Sequence, residues 1–299
     1  MKSRQKILII GFGDVAERLA RLLDSRQRIY ALVRKPERAA RARDIGIVPI
    51  GGDLADRTSL RRLAGLADTV FHLAPPPNRG PRDHHTRNLI AALSRPAASG
   101  RPGMLPQHLV YISTTGVYGD CGGRQIDETQ ARHPQTERAL RRADAETALR
   151  AWGRRSGVAI AILRAPGIYA ADRLPIERLQ KGTPALAPDD DVFTNHIHAD
   201  DLARAAWRAA YRAQPNRVYN AVDNSEMRMG EYFDLVADWF NLPHPRRVSR
   251  AEAGAHIGAA MLSFMNESRR IGNVRLTREL GMRLRYPTVN DFLDSLKSG

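Results

Sequence analysis

Residues 7–16, Ile-Leu-Ile-Ile-Gly-Phe-Gly-Asp-Val-Ala, limit the possible folds of this chain more than any other stretch. Four apolar residues run into a glycine turn. The turn runs into a helical pattern with Val15, Leu19, Leu22 and Leu23 at helical spacing. Gly11 permits the tight turn, Gly13 lets backbone approach a ligand, and small Ala16 lets the helix pack closely on the strand. The start of such a helix offers unpaired N–H groups and the positive end of its dipole, which suits a pyrophosphate. G-x-G-x-x-A is a weak signal alone. Its place after a strand and before a helix gives it meaning and makes Gly11, Phe12, Gly13, Asp14 and Val15 candidate phosphate contacts.

The rest of the first half alternates in the same way. Strand patterns at Lys6–Ile10, Arg28–Val33, Ile47–Ile50, Thr69–Leu73, His108–Ile112 and Val158–Leu163 are separated by helical patterns. The helical ones lie near Val15–Asp24, Pro36–Arg43, Thr58–Ala64, Arg82–Leu93 and Thr136–Trp152. This predicts an α/β fold, a Rossmann-type doubly wound parallel sheet, joined by a later strand at Arg217–Ala221. Residues 174–191, with Pro175, Pro184 and Pro188, leave the pattern, and the chain after Asp223 is helical. The division expected is a dinucleotide-binding domain of residues 1–165 plus 192–222. A small, mostly helical C-terminal cap of residues 166–191 plus 223–299 would bind the substrate.

A chain of 299 residues with 42% apolar content has enough material for a substantial core. One cysteine, Cys121, excludes a disulfide framework and a cysteine-rich metal site and fits a reducing cytoplasm. The apolar run 7–10 is too short for a signal peptide and ends in the glycine turn, and no stretch has the length to span a membrane. The net charge of +15 raises the question of a nucleic-acid partner. The excess is almost all arginine, spread over nearly every predicted helix, and aromatics are only 6%. A nucleic-acid face would be clustered and interleaved with aromatics, so attraction for anionic small molecules is the simpler consequence.

The second strand ends Val33-Arg34-Lys35. An acidic residue there would accept hydrogen bonds from a ribose 2′-hydroxyl. A guanidinium instead matches a 2′-phosphate, so the sequence favours NADP(H) over NAD(H), with Arg34 as lead contact and Lys35 as support.

Several segments together resemble the extended short-chain dehydrogenase/reductase superfamily, which includes NAD-dependent epimerases and dehydratases. They are Gly52-Asp53-Leu54-Ala55-Asp56, Val70-Phe71-His72-Leu73-Ala74, and Ile112-Ser113-Thr114-Thr115-Gly116-Val117-Tyr118-Gly119. Leu163-Arg164-Ala165-Pro166-Gly167-Ile168-Tyr169, His196-Ile197-His198-Ala199-Asp200-Asp201-Leu202 and Tyr219-Asn220-Ala221-Val222-Asp223 complete the set. The resemblance covers nearly the whole chain. It implies that Asp53 bonds the adenine amino group with Leu54 beside the ring. It also implies that Ala74, with Pro75, Pro76 and Ser113, lines the cofactor's path, and that Pro166 and Ile168 approach the nicotinamide carboxamide. Thr114 matches the active-site Ser/Thr, and His198 with Asp201 matches the turn that returns the chain from cap to sheet. It further implies a homodimer through the helices near Arg82–Leu93 and Thr136–Trp152, although the second of these is heavily basic here.

The chain departs from that pattern in its chemistry. The glycine turn is one residue shorter than G-x-x-G-x-x-G, as in the atypical subgroup. Alignment on Pro134 and Glu146 puts Arg138 and Arg142 where the superfamily carries the Tyr and Lys of its Tyr-x-x-x-Lys acid/base. Arginine stays protonated at any working pH and cannot serve as a general base. Arg142 can still hold the nicotinamide ribose, and Arg138 can stabilise an oxyanion or bind an anionic substrate. Tyr118 and Tyr169 are candidate replacement hydroxyls. Thr115-Gly116 stands where sugar-nucleotide dehydratases carry Asp-Glu, which disfavours that elimination. The expectation is an oxidoreductase or epimerase acting on a small or nucleotide-linked carbonyl or hydroxyl compound. The alternative is a non-catalytic NADP(H)-binding sensor or partner-binding protein.

Overall fold

The structure, a computed structural model, describes residues 4–24, 26–96 and 104–297. Its centre is a seven-stranded sheet: β1 (Gln5–Ile10), β2 (Gln27–Val33), β3 (Val48–Gly51), β4 (Thr69–His72), β5 (His108–Thr114), β6 (Ala159–Ala165) and β7 (Arg217–Asn220). The strands are all parallel, in the order β7-β6-β5-β4-β1-β2-β3. The strand order reverses between β1 and β4, and there the Leu73 N–H donates to the Ile10 carbonyl at 2.8 Å. In open sheets of this kind, ligands bind outside the carboxyl ends of the strands at this reversal. Gly11 and Ala74 stand at that edge.

The sheet strands read as unbroken apolar runs because both faces are covered. Ile7, Ile9, Val33, Phe71, Val110 and Leu163 face one core, and Leu8, Ile10, Leu32, Val70, Leu109 and Ile162 face the other. On the first face, α1 (Asp14–Ala20) lies beside α6 (Ala199–Arg212). Ala16 and Ala20 share that core with Ala203, Ala206 and Ala210, and the small side chains allow close approach. On the second face lie α3 (His84–Leu93) and α4 (Glu137–Ser156), which contribute Leu89, Ala145, Leu149 and Trp152.

Two predicted helices are shorter or tighter than the pattern suggested. The helix expected to reach Asp24 ends at Ala20, where the Leu22 and Leu23 amides turn to the carbonyls of Leu19 and Ala20 (3.0 and 3.1 Å) and tighten the last turn. The helix expected over 58–64 is one 3₁₀ turn, Ser59–Leu63. Leu60 and Leu63, three apart, are both fully buried against the second face, and that spacing fits a 3₁₀ turn.

A separate apolar cluster joins Tyr169, Leu174, Leu179 and Leu186 to Tyr232, Phe233, Val236 and Phe292. It packs α5 (Ile176–Gln180), α7 (Met229–Trp239) and α11 (Val289–Ser295) together. The stretch 274–284, grouped with the cap above, packs Leu276, Leu280 and Met282 into the core on the α1/α6 face. His198 and Asp201 secure the return to the sheet. His198 Nδ1 accepts from the Asp200 N–H (3.1 Å), and the Asp201 carboxylate accepts from the Arg285 and Tyr286 amides (2.8 and 2.9 Å). Among the described residues no helix is long and apolar enough to cross a membrane.

Candidate functional site

The glycine turn has the shape that a bound pyrophosphate needs. Gly11 has φ +90°, and a Cβ there would lie 2.6 Å from the backbone N and Cα of Ala74. Only glycine allows β1 and β4 to meet so closely. A Cβ on Gly13 would meet nothing within 4 Å, so space is left over the turn. Gly13 is the N-cap of α1, and no side chain caps the first-turn N–H groups. Uncapped donors facing open space at the sheet's reversal fit a dinucleotide phosphate.

Beside the turn, the ends of β2 and β3 come together. Val33 pairs with Gly51, which brings Arg34 and Asp53 together; Arg34 Nη1 is 3.7 Å from Asp53 Oδ2. Asp53 is held by its own turn, its Oδ1 accepting from the Ala55 N–H (2.9 Å), and Leu54 beside it is buried. Lys35 is exposed and lies 3.7 Å from Glu37.

A cleft of about 740 Å³ opens between the sheet and the cap. Thr114, Pro166, Ile168, Tyr169 and Arg138 line it, so five sequence-flagged residues converge there. Thr114 ends β5, and its Oγ1 accepts from the Gly116 N–H at 3.2 Å. Arg138 is on the first turn of α4, one turn before Arg142. Nearby protein, then Arg142 and Arg141, pull the Arg138 guanidinium below its ordinary pKa. Arg142 is buried, and its Nη1 donates to the carbonyls of Ala74 (3.3 Å) and Ile112 (2.8 Å) and to the Tyr111 hydroxyl (3.0 Å). It ties together the carboxyl ends of β4 and β5.

The structure corrects one assignment. Tyr118 is fully buried and is not among the residues lining the cleft. Its hydroxyl donates to Asn220 Oδ1 at 2.7 Å, and the Arg164 guanidinium stacks 4.6 Å from its ring centre. It packs with Cys121 and Ile126 from its own loop and with Val222 and Ile271 from two distant segments, and it supports the site from behind. Ser113, beside Thr114 at the carboxyl end of β5, is buried, and its hydroxyl donates to buried Glu146 (2.6 Å). Pro76 is buried and Pro75 exposed in the loop after β4.

Other residues of the cleft carry no local signal in the sequence. Four arginines line it (Arg138, Arg173, Arg178 and Arg269) against two glutamates (Glu177 and Glu267), so its field favours an anion. Arg269 Nη1 is held by Glu267 (2.6 Å) and the Gly119 carbonyl (2.8 Å). Behind the wall, burial pushes the Asp223 carboxyl up to about 7. Burial first, then Asp223, pushes the Tyr169 hydroxyl well above the usual phenol range. Burial pulls His196 down to about 4 and His72, bonded to Thr86 (2.9 Å), down to about 3. Among the described residues there is no group of three or more side chains able to hold a metal ion.

Known proteins share this architecture. A curated relative is the 4-hydroxy-2-methyl-3-oxo-4-farnesyl-3,4-dihydroquinoline-1-oxide ketoreductase of Stigmatella aurantiaca, 25% identical over 83% of this chain and 77% of that protein. Human dTDP-D-glucose 4,6-dehydratase is 24% identical over 40% of this chain and 37% of its own length. A conserved protein of unknown function from Silicibacter pomeroyi superposes with a TM-score of 0.81 at 26% identity, covering 98% of both chains. The dTDP-glucose 4,6-dehydratase DesIV of Streptomyces venezuelae, solved with NAD bound, gives 0.75 at 18% identity over 97% of this chain and 95% of its own. The NAD dependent epimerase/dehydratase family model matches residues 7–221, the span from β1 past β7. The chain belongs to the NAD dependent epimerase/dehydratase family.

Proposed function

We propose that this chain binds NADP(H) and acts as an oxidoreductase or epimerase on a small or nucleotide-linked carbonyl or hydroxyl compound. The family ties it to nicotinamide dinucleotide chemistry. The observation that carries the reading is Thr114, at the carboxyl end of β5, lining an arginine-bordered cleft two strands away from the glycine turn. The ketoreductase name of the Stigmatella aurantiaca relative supports a carbonyl substrate. Elimination of the dehydratase kind is disfavoured by Thr115-Gly116 after Thr114.

The α1 amides and Gly13 would hold the pyrophosphate, Arg34 the 2′-phosphate, and Asp53 with Leu54 the adenine. When bound, a nicotinamide supplies or accepts a hydride at its C4. The Thr114 hydroxyl donates a hydrogen bond to the reacting oxygen. Arg138 stabilises negative charge developing there, as a cation on the cleft wall. Arg138 takes no part in moving the proton, since a guanidinium does not deprotonate at working pH. The proton comes from cleft water. Arg142 keeps the ends of β4 and β5 in register and so positions Thr114.

Oxidation of NADPH with a panel of ketones and aldehydes tests this. Turnover should fall about 10²-fold in Thr114→Val, the order lost when one oxyanion donor is removed, while NADPH affinity stays unchanged. The second reading, a non-catalytic dinucleotide sensor, is favoured by the two arginines where a base is required. Tight NADPH binding with no turnover on any compound would support it.

A further inference from the structure

One ion pair joins the arginine-lined cleft to the glycine turn. Arg173 lines the cleft from the cap side, just before α5, and its Nη2 lies 2.9 Å from Asp14 Oδ2. Asp14 is the first residue of α1, directly after Gly13. A carboxylate there repels the anion that the turn is shaped to receive. Among the described residues of the sheet domain its one cationic partner is Arg18, whose Nε donates to both Asp14 oxygens at 2.9 Å and whose Nη1 bonds Asp200 Oδ1 at 2.5 Å.

Arg18 is therefore shared between two carboxylates, leaving one negative charge that Arg173 balances. Among the described residues, Arg173 pairs with Asp14. The two side chains retain 33% and 28% of their exposure, so water screens the pair and it changes partners easily. A pyrophosphate offers the same guanidinium a pair of charged oxygens in the fork geometry it matches best.

We propose that Arg173 is a pyrophosphate-binding residue supplied by the cap, for which Asp14 and the phosphates are alternative partners. The proposal rests on the dinucleotide reading above. It extends the cap's share of the cofactor site to the pyrophosphate, so the cleft's charge on the substrate side depends on whether the dinucleotide is bound.

Calorimetry with two probes tests it: NADP, and adenosine 2′-phosphate, which lacks the pyrophosphate. Arg173→Gln should weaken NADP about tenfold and leave adenosine 2′-phosphate within twofold of wild type. Arg173→Lys, which keeps the charge and loses the fork, should fall between. NADP binding equal in wild type and Arg173→Gln overturns the proposal and leaves the dinucleotide reading standing. Equal losses for both probes also overturn it, because they mark a general disturbance of the cap. Failure of the wild type to bind either probe removes the dinucleotide reading and this proposal together.

Discussion

Gly11→Ala should abolish dinucleotide binding and destabilise the protein by about 2–4 kcal/mol. Two effects add. An alanine at φ +90° is strained, and its Cβ would press on the Ala74 backbone, 2.6 Å away, where neither β1 nor β4 can yield. The contrast is Gly13→Ala. That backbone has φ −115°, an ordinary value, and open space in front of it. Stability should drop by no more than about 1 kcal/mol, the cost of alanine at an N-cap. Dinucleotide affinity should still fall sharply, because the methyl group enters the space over the turn. Urea denaturation and ligand titration of both variants separate the two effects. Equal stability of Gly11→Ala and wild type would remove the close approach of β1 and β4 from the account.

Glu146→Ala should cost about 3–5 kcal/mol, the range for breaking a buried ion pair from one side. Glu146 is fully buried on α4. Its carboxylate accepts from Arg164 Nε (3.0 Å) and Nη2 (2.7 Å), from Ser113 Oγ (2.6 Å) and from Arg132 Nη1 (3.4 Å). Burial opposes the Arg164 charge, and the Glu146 contacts more than offset it, holding that guanidinium above its ordinary pKa. Alanine would strand the cation between β6 and Tyr118 and release the end of β5, from which Thr114 emerges. Adding Arg164→Met should restore a substantial part of the loss, since the stranded charge is removed. Denaturant midpoints of the single and double variants check this. A cost below about 1 kcal/mol for Glu146→Ala would show that the network does not hold the site in place.

The sequence reading reached the sheet because its signals are local. The central strands are runs of apolar residues beside turn residues, and burial on both faces makes such runs unbroken. The glycine turn was equally legible, since φ +90° and the close approach to Ala74 at Gly11 are open only to a residue without a Cβ. Tyr118 was misread because the direction of its ring depends on Asn220, Arg164 and Ile271, which lie 46 to 153 residues further on. Glu146 was visible only as an alignment landmark. Its role as the counter-ion of Arg164 depends on α4 packing across β5 and β6. Arg173, Arg178, Glu267 and Arg269 reach one cleft only after the cap folds over the sheet, and no spacing in the chain encodes that meeting.

The most direct measurement is calorimetric titration of the wild type and Arg34→Asp with NADP and with NAD. The wild type should bind NADP at least tenfold more tightly than NAD, because the Arg34 guanidinium meets a 2′-phosphate through charge-assisted bonds worth roughly 1.5–3 kcal/mol. Arg34→Asp should reduce NADP affinity about 10- to 100-fold on the same basis and leave NAD affinity nearly unchanged. Equal losses for the two dinucleotides would contradict the 2′-phosphate assignment. The absence of heat with either one, oxidised or reduced, would contradict the dinucleotide site itself.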